Sequence, residues 1–301
     1  MENQAKTDLF EKARPRLLGL AYRLLASKAE AEDVVQDVYL KWREASEAEI
    51  QNSHGWLITV CTRNCIDILK SAHKSRVEYV GPWLPEPVIT FFDEDQEGQI
   101  DLAVSLSTAF LLLLERLSPR ERAAYLLHDV FDHDYQQVSE ILNVEQPACR
   151  KLVSRAREHV SQDKKRYEVP REKQQEFLSV FQDAVQSGST DNLSRLLSED
   201  IVFCSDGGGK VVAARRPVSG RERVLNFIEK VLIPAWSEIT FESLEVNGLE
   251  SLSYFHKGRL SGVITFSYGE QNKIENIYVM RNPEKLILFQ RRVSGNQPDI
   301  L

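Results

Sequence analysis

The stretch VGPWLPEPVIT, residues 80–90, places the strongest limit on how this chain can fold. Its prolines remove backbone donors and fix φ, so a helix cannot run through it and a central strand cannot use it. The stretch therefore predicts a connector between separate folding units. Because a large aromatic side chain on a solvated tether favours aggregation, we expect Trp83 to pack against another part of the chain.

The acidic charge of the chain is concentrated in this connector and just after it. The net charge is −7, and residues 79–100 carry five acidic and no basic side chains. Residues 1–78 balance 12 basic against 12 acidic side chains, so the flanking units remain free to carry basic faces. The composition is therefore compatible with a nucleic-acid partner.

The general composition predicts a soluble protein of the reducing cytoplasm, with no membrane partner. The 301 residues suffice for two or three compact units, and 42% of them are hydrophobic. No apolar run approaches the roughly 20 residues of a membrane span, and the N-terminus lacks the apolar core of a signal peptide. Four cysteines in such a chain favour free thiols over a disulfide framework.

Residues 1–78 are predicted to form helices, one of which carries a distinct polar face. Ser27 and Glu30 have the spacing of a capping box, and Val34 and Val38 then recur on a buried face. The polar face of the same helix presents Asp33, Gln36 and Asp37. It is either ordinary solvated surface or a docking face for a partner helix, and composition alone leaves both open.

The next helix, GWLITVCTRNCIDILKSAHKSR, has one apolar and one basic side. Cys61 and Cys65 share the apolar stripe, where free cysteine packs as a small hydrophobe, so we expect no metal site. The basic side includes Arg63, Lys70 and Lys74. These cations either follow a phosphate backbone or belong to an ordinary amphipathic helix with an Arg63–Asp67 ion pair.

Residues 118–160 match the helix-turn-helix pattern. Ser118, Pro119 and Glu121 supply the start signals of one helix, and DYQQVSEIL, the turn NVE and QPACRKLVSRAREHV follow. The last helix presents Arg150, Lys151, Ser154, Arg155 and Arg157. Such a helix can enter the major groove of DNA, and the helix-turn-helix context favours this over a plain solvated basic face.

From about residue 170 the pattern becomes α+β. Two helices precede a strand, a further helix follows, and five strands are predicted to reach the C-terminus, the last of them LILFQRRV. DGGGK, residues 206–210, fails the phosphate-loop template, because Val211 follows the lysine. NPEKL, residues 282–286, is interpreted as a turn joining two strands.

These residues together resemble the extracytoplasmic-function (ECF) sigma factors of bacterial RNA polymerase. AEDVVQDVYLKW resembles their polymerase-binding helix, the basic helix of residues 55–76 their −10 reader, and residues 117–160 region 4, which reads the −35 element. WLPEP, DGGGK and NPEKL are similar to the signatures of the group with a fused SnoaL-like domain of NTF2-like fold. The resemblance implies four segments: region 2 (1–78), an acidic linker (79–100), region 4 (101–166) and a SnoaL-like regulatory domain (170–301).

The resemblance also implies partners and site residues for a non-enzymatic transcription initiation factor. Its partners would be promoter DNA and core RNA polymerase, through the β′ clamp helices and the β flap, with no cofactor and no separate anti-sigma factor. Polymerase binding would use Asp33, Gln36 and Asp37, the −10 region Asn52, Ser53, Arg63, Asn64, Lys70 and Lys74, and the −35 region Arg150, Lys151, Ser154, Arg155 and Arg157.

The three signatures are expected to form one regulatory interdomain contact, with Trp83 and its neighbouring prolines against the two turns. Its residues would be Trp83, Leu84, Pro85, Glu86 and Pro87, then Asp206, Gly207, Gly208, Gly209 and Lys210, and finally Asn282, Pro283, Glu284, Lys285 and Leu286. Such a contact would let the fused domain act as a built-in regulator.

Two other functions remain open at this stage. NTF2-like folds host enzymes, for which Asp206, Tyr254 or His256 would be acid–base candidates, although no catalytic constellation converges in the sequence. The domain could instead bind a small hydrophobic ligand without chemistry, which would make the protein a sensor.

Overall fold

The computed structural model describes the backbone of residues 2–46, 50–90, 106–161 and 169–293, and the side chains of residues 4–46, 50–71, 78–90, 106–160 and 169–290. Contacts divide these residues into two units. The first contains residues up to 77 together with 113–161, and the second contains 78–112 together with 169–293. Connector residues 79–90 therefore fold with the C-terminal domain.

The first unit begins with three packed helices, α1 (Glu2–Leu25), α2 (Lys28–Glu44) and α3 (Ser53–Val77). Ser27 caps α2, because its hydroxyl accepts from the Glu30 backbone N–H. Trp42 lies in the core, 1% exposed, and its indole N–H donates to the Lys6 carbonyl oxygen at 3.0 Å. These contacts bind the end of α2 to the start of α1.

The rest of the first unit is the predicted helix-turn-helix. Helix α4 (Thr108–Leu114) leads from the second unit, and α5 (Pro119–Tyr125) starts at a complete capping box and continues into a π-helical turn, Leu126–Val130. Helix α6 (Tyr135–Leu142) ends at Asn143, whose left-handed φ of 50° makes the tight turn into α7 (Gln146–Ser161). Asparagine tolerates this conformation better than most residues.

The second unit is an α+β domain built on a six-stranded sheet. Helices α8 (Arg171–Ser187) and α9 (Asp191–Leu196) precede β1 (Leu197–Asp206) and β2 (Val218–Ser219), and α10 (Arg221–Phe227) follows. The remaining strands are β3 (Ile239–Val246), β4 (Leu249–His256), β5 (Arg259–Tyr268) and β6 (Ile274–Met280), and α11 (Pro283–Val293) comes last. The strand order is β2-β1-β6-β5-β4-β3, with only β1 and β6 paired in parallel.

The two faces of this sheet are covered by different parts of the chain. Ile277 and Val279 of β6 point to one face, where α8 and α10 supply the covering side chains. Tyr278 and Met280 alternate to the other face, which packs against Leu84 of the connector and against α11. The connector is thus part of the hydrophobic core of the C-terminal domain.

One prediction for this domain is wrong: residues 283–293 form helix α11, not a final strand after a turn. The Asn282 side chain accepts from the Glu284 backbone N–H at 3.0 Å, and Pro283 suits the first helical position. Leu286 and Phe289, three residues apart, both face the sheet. The consecutive apolar residues LILF had suggested a strand, but this cap and this spacing favour a helix.

The part of the chain that the structure describes lacks two features of other protein classes. No helix there is both long and apolar enough to span a bilayer. The same residues hold no cluster of three histidine, cysteine or carboxylate side chains that could bind a metal ion.

Candidate functional sites

Helix α7 separates a buried face from a polar face. Cys149, Val153 and Ala156 are fully buried against the rest of the helix-turn-helix. Four of the five −35 candidates are exposed and together form the polar face of α7: Arg150, Lys151, Ser154 and Arg155. Their placement leaves this surface available to a groove of DNA.

Arg157 differs from these four because its guanidinium already has an ionic partner. Its Nε lies 3.1 Å from both carboxylate oxygens of Asp129, in the π-helical turn, and Nη2 contacts the same group. These hydrogen bonds raise the pKa of Arg157 above its ordinary value. The ion pair links the C-terminal half of α7 to the π-helical turn that follows α5.

The −10 candidates on α3 are engaged within the first unit. Arg63 donates from Nε to the Ile141 carbonyl oxygen at 3.0 Å and from Nη2 to that of Glu140 at 3.3 Å, at the C-terminal end of α6. Lys70, not Arg63, pairs with Asp67, at 2.8 Å. A cavity of about 260 Å³ lies beside these groups, lined also by Ile66, Arg120, Leu142 and Asn143.

The other −10 candidates have local roles. Asn52 immediately precedes α3, and its side-chain oxygen accepts from the Gly55 backbone N–H at 3.0 Å, as a helix cap does. Ser53 is the first residue of α3 and Asn64 accepts from the Lys41 ammonium at 2.9 Å. The side chain of Lys74 lies outside the described residues, as do the acidic residues 93–97.

The three candidate residues for polymerase binding lie on one face of α2. Asp33, Gln36 and Asp37 are all exposed, whereas Val34 and Val38 on the opposite side are buried. On α3, Cys61 and Cys65 are buried, and burial raises the pKa of the Cys65 thiol well above its ordinary value. These two thiols pack in the core.

The second unit brings the three signature motifs together around one buried carboxylate. Asp206 is fully buried at the end of β1. Its Oδ1 accepts from the Tyr79 hydroxyl at 2.6 Å and the Gly208 backbone N–H at 2.9 Å, and its Oδ2 accepts from the Leu84 backbone N–H at 2.9 Å and the Lys285 ammonium at 2.7 Å. We call Asp206, Tyr79, Leu84, Gly208 and Lys285 the latch.

Lys285 extends the latch to the tryptophan of the connector. Its ammonium also donates to the Leu84 carbonyl oxygen at 2.6 Å and lies 4.3 Å from the centre of the Trp83 ring. Trp83 is half-buried, and its ring is in cation–π contact with this ammonium. Beside them Leu84, Pro85 and Pro87 are buried and Glu86 is half-buried.

The glycines of DGGGK allow a close approach of the other two motifs. Gly208 has a φ of +58°, and a Cβ there would lie 2.3 Å from the side-chain amide nitrogen of Asn282. Gly209 has a φ of +70° and lies against Val80, while Lys210 forms an exposed ion pair with Glu284 at 3.1 Å. The positive φ favours glycine at both positions, and the lack of space also requires it at Gly208.

Tyr79 was missed by the sequence analysis, although it lies at the centre of the latch. Its hydroxyl donates to Asp206 and accepts from the Asn282 side-chain amide at 2.8 Å. Burial, reinforced by the adjacent carboxylate, raises the pKa of Tyr79 well above its ordinary value. No local pattern marks this tyrosine, because its partners lie more than 120 residues away.

A second anchor of the connector was also missed. Val88 and Thr90 form backbone hydrogen bonds with Asn247 and Glu245, so the connector makes a single antiparallel bridge to β3, between Ile89 and Val246. The buried Asn247 side chain accepts from the Val88 N–H at 2.8 Å and donates to the Leu106 carbonyl oxygen at 3.0 Å. The Asn-Gly hairpin signal was visible in the sequence, but this second role was not.

The enzyme candidates do not form a common site. Asp206 is occupied by the latch, Tyr254 is 1% exposed within an aromatic cluster, and His256 is exposed at the end of β4. The rings of Phe181, Trp236 and Phe266 pack into the same cluster between α8 and the sheet.

The two helical regions joined by a connector, with a basic helix-turn-helix, define a promoter-recognition subunit. The family models "Sigma-70 region 2" and "Sigma-70, region 4" match residues 9–75 and 107–160. The ECF RNA polymerase sigma factor SigJ of Mycobacterium tuberculosis is 37% identical over 221 residues, covering 73% of this chain and 70% of SigJ. The chain therefore belongs to the ECF sigma factors.

Two further comparisons extend over nearly the whole chain. The probable ECF sigma factor SigI of M. tuberculosis is 28% identical over 286 residues, covering 94% of this chain and 95% of SigI. The crystal structure of M. tuberculosis SigJ superposes with a TM-score of 0.72 at 29% identity, covering 93% of this chain and 98% of that one. The predicted family and the predicted fold class, helical sigma regions followed by an α+β domain, are confirmed.

Proposed function

We propose that the fused C-terminal domain modulates this sigma factor by holding the connector between its two promoter-reading regions. The protein binds core RNA polymerase and promoter DNA and directs transcription initiation, as its family does. The buried Asp206 carboxylate carries the proposal, because Tyr79 and Leu84 of the connector both donate to it. Leu106 and Thr108, which lead into region 4, bond to the same domain.

The proposal assigns each helical region of the chain a partner in the polymerase or in the promoter. In the proposal α2 engages the β′ clamp helices through Asp33, Gln36 and Asp37, and region 4 meets the β flap. Residues 52–74 contact the −10 element, and α7 reads the −35 element. Support comes from the exposure of the α2 face and of Arg150, Lys151, Ser154 and Arg155.

The domain competes with the polymerase for the connector. When residues 84–90 are docked, Leu84 and Ile89 are buried and the backbone of Val88 and Thr90 is already hydrogen-bonded. The acidic linker, residues 79–100, suits a basic polymerase channel, where it would be attracted much as nucleic acid is. In the proposal only chains with an undocked connector bind polymerase fully. The apparent affinity therefore equals the intrinsic affinity multiplied by the undocked fraction.

The test compares latch variants of the full chain in binding to core polymerase and in run-off transcription. Lys285→Ala and Trp83→Ala are expected to bind core polymerase several-fold more tightly and to raise transcription, because they weaken docking. Lys210→Ala is the matched control, since it removes an exposed lysine that pairs with Glu284 and is not part of the latch. The proposal is wrong if all three variants behave like the unmodified chain.

A variant that ends before residue 170 tests the same proposal by removing the whole domain. If the domain restrains the connector, this variant binds core polymerase at least as tightly as Lys285→Ala does in the full chain. Since the restraint is part of the chain, the proposed mechanism needs no separate anti-sigma factor. Restoration of normal regulation in the truncated variant by an added anti-sigma protein would contradict it.

A further inference from the structure

The first residue of α6 contacts the first arginine of the recognition helix. The Tyr135 ring centre lies 5.3 Å from the guanidinium carbon of Arg150. The same ring lies 4.1 Å from the ring of His128. The His128 Nδ1 is in turn 2.7 Å from the His133 carbonyl oxygen. A tyrosine fixed by its own neighbours therefore supports a side chain that is otherwise exposed.

The start of α6 is rigid, which makes Tyr135 a defined platform. Asp134 accepts from the Gln137 backbone N–H at 2.8 Å, and the Gln137 side chain accepts from the Asp134 N–H at 3.1 Å. This reciprocal capping box fixes the backbone on both sides of Tyr135. The ring is half-buried, so one part of it packs while another remains open to the guanidinium.

Arg150 lies near the N-terminal end of α7. Recognition helices contact base edges with residues near their N-terminal end, and α7 begins at Gln146. Arg157, by contrast, lies near the other end of α7 and is paired with Asp129. Among the arginines of α7, Arg150 therefore combines the reading position with an exposed guanidinium.

Base reading by arginine depends on geometry as well as charge. A guanidinium pairs with guanine through two parallel bonds to O6 and N7, which requires its plane to be held in one orientation. A free arginine loses much rotamer freedom when it makes such a pair, whereas one already resting on an aromatic ring loses less. An aromatic platform under Arg150 should therefore increase discrimination between bases more than overall affinity.

We propose that Tyr135 is a positioning residue that holds the guanidinium of Arg150 for recognition of a guanine in the −35 element. The inference rests on the proposed function, in which α7 reads that element. Tyr135 itself acts through Arg150 and contacts no base. Removing the ring should therefore change the preference at one base pair, whereas phosphate contacts elsewhere should be unaffected.

The experiment measures promoter preference with holoenzyme reconstituted from the full chain and core polymerase. A panel of promoters with each −35 base pair replaced in turn is used for binding and run-off transcription. Arg150→Ala should abolish preference at one G·C pair. Tyr135→Leu and Tyr135→Gln should each lower preference at that same pair about two- to five-fold. Tyr135→Phe, which keeps the ring, should retain it, and Lys151→Ala should weaken all promoters alike.

A double variant separates positioning from a general structural role. With Arg150→Ala already present, Tyr135→Leu should cause no further loss of preference. The inference is overturned if Tyr135→Leu and Tyr135→Gln keep full preference at the pair that Arg150 reads, or if either variant weakens all promoters equally. If Arg150→Ala leaves every preference intact, it is the proposed reading role of α7 that fails.

Discussion

Lys285 places its ammonium 2.7 Å from the Asp206 carboxylate, and both side chains are shielded from water, at 11% and 0% exposure. The two residues come from signature motifs 79 positions apart in the sequence. Burying such a pair costs desolvation, which is recovered here by the further donors to Asp206. The pair links the end of β1 with α11, and the connector binds to both.

Asp206→Asn should strongly destabilise the second unit. The change removes the charge of the carboxylate that faces the buried Lys285 ammonium, and breaking a buried pair in this way costs about 3–5 kcal/mol. Denaturant unfolding measures the loss. Glu284→Gln is the control, because its exposed pair with Lys210 contributes about 0–1 kcal/mol. Equal stability of the two variants would contradict the role of the latch.

An isolated C-terminal fragment should need the connector to fold well. A fragment of residues 169–301 lacks Leu84 and Ile89, which cover Val246, Val263 and Met280 on one face of the sheet. Exposed apolar patches favour association. We expect this fragment to aggregate, and a peptide of residues 78–112 to bind in trans and raise its melting temperature. A monomeric fragment whose melting temperature the peptide does not change would contradict this.

Glu245 should make stability fall as pH rises above the pKa of an unfolded glutamate. Burial raises the pKa of Glu245 above its ordinary value, although a hydrogen bond from Thr90 and the charge of Arg171 oppose this and Glu250 favours it. A raised pKa in the folded state gives stability that is present below about pH 4.5 and is lost as pH rises through the folded-state value.

The substitution Glu245→Gln tests this dependence, because glutamine keeps an acceptor for Thr90 without the charge. The melting temperature should match that of the unmodified chain near pH 4 and exceed it by about 1–2 °C at pH 7. A difference that is constant over this range would show that the charge of Glu245 plays no part.

Arg63→Ala should loosen the packing of α3 against α6. The variant loses the two hydrogen bonds that the Arg63 guanidinium donates to the carbonyl oxygens of Glu140 and Ile141. Arg63 is exposed, so the guanidinium is partly solvated. We expect a loss of about 1 kcal/mol in the free energy of unfolding of the first unit. Lys70→Ala serves as the control, because Lys70 only pairs with Asp67 at the surface.

Local sequence patterns predicted the first unit much better than the connector sites. The capping box of Ser118 and Glu121 was confirmed, because capping depends on residues three apart. The contacts of Tyr79 with Asp206 and Asn282 depend on residues more than 120 positions away, which no local window shows. The secondary structure of the apolar run 286–289 was ambiguous, because so short a run is compatible with a buried helix and with a buried strand.

The glycine turn of the latch gives the last prediction. Gly208→Ala should destabilise the second unit for two separate reasons, the positive φ of +58° and a Cβ that would lie 2.3 Å from the Asn282 amide. Gly188 is the matched control, because its φ is +78° but no atom lies within 4 Å of the corresponding Cβ.

The difference between the two alanine variants isolates the steric part of this effect. Gly188→Ala should cost about 1–2 kcal/mol from backbone conformation alone, whereas Gly208→Ala should cost more and also displace Asn282 from Tyr79. Unfolding by denaturant measures the cost of each variant. Equal costs for the two variants would mean that Gly208 serves only the turn, and that the close approach of Asn282 adds nothing to the docking of the connector.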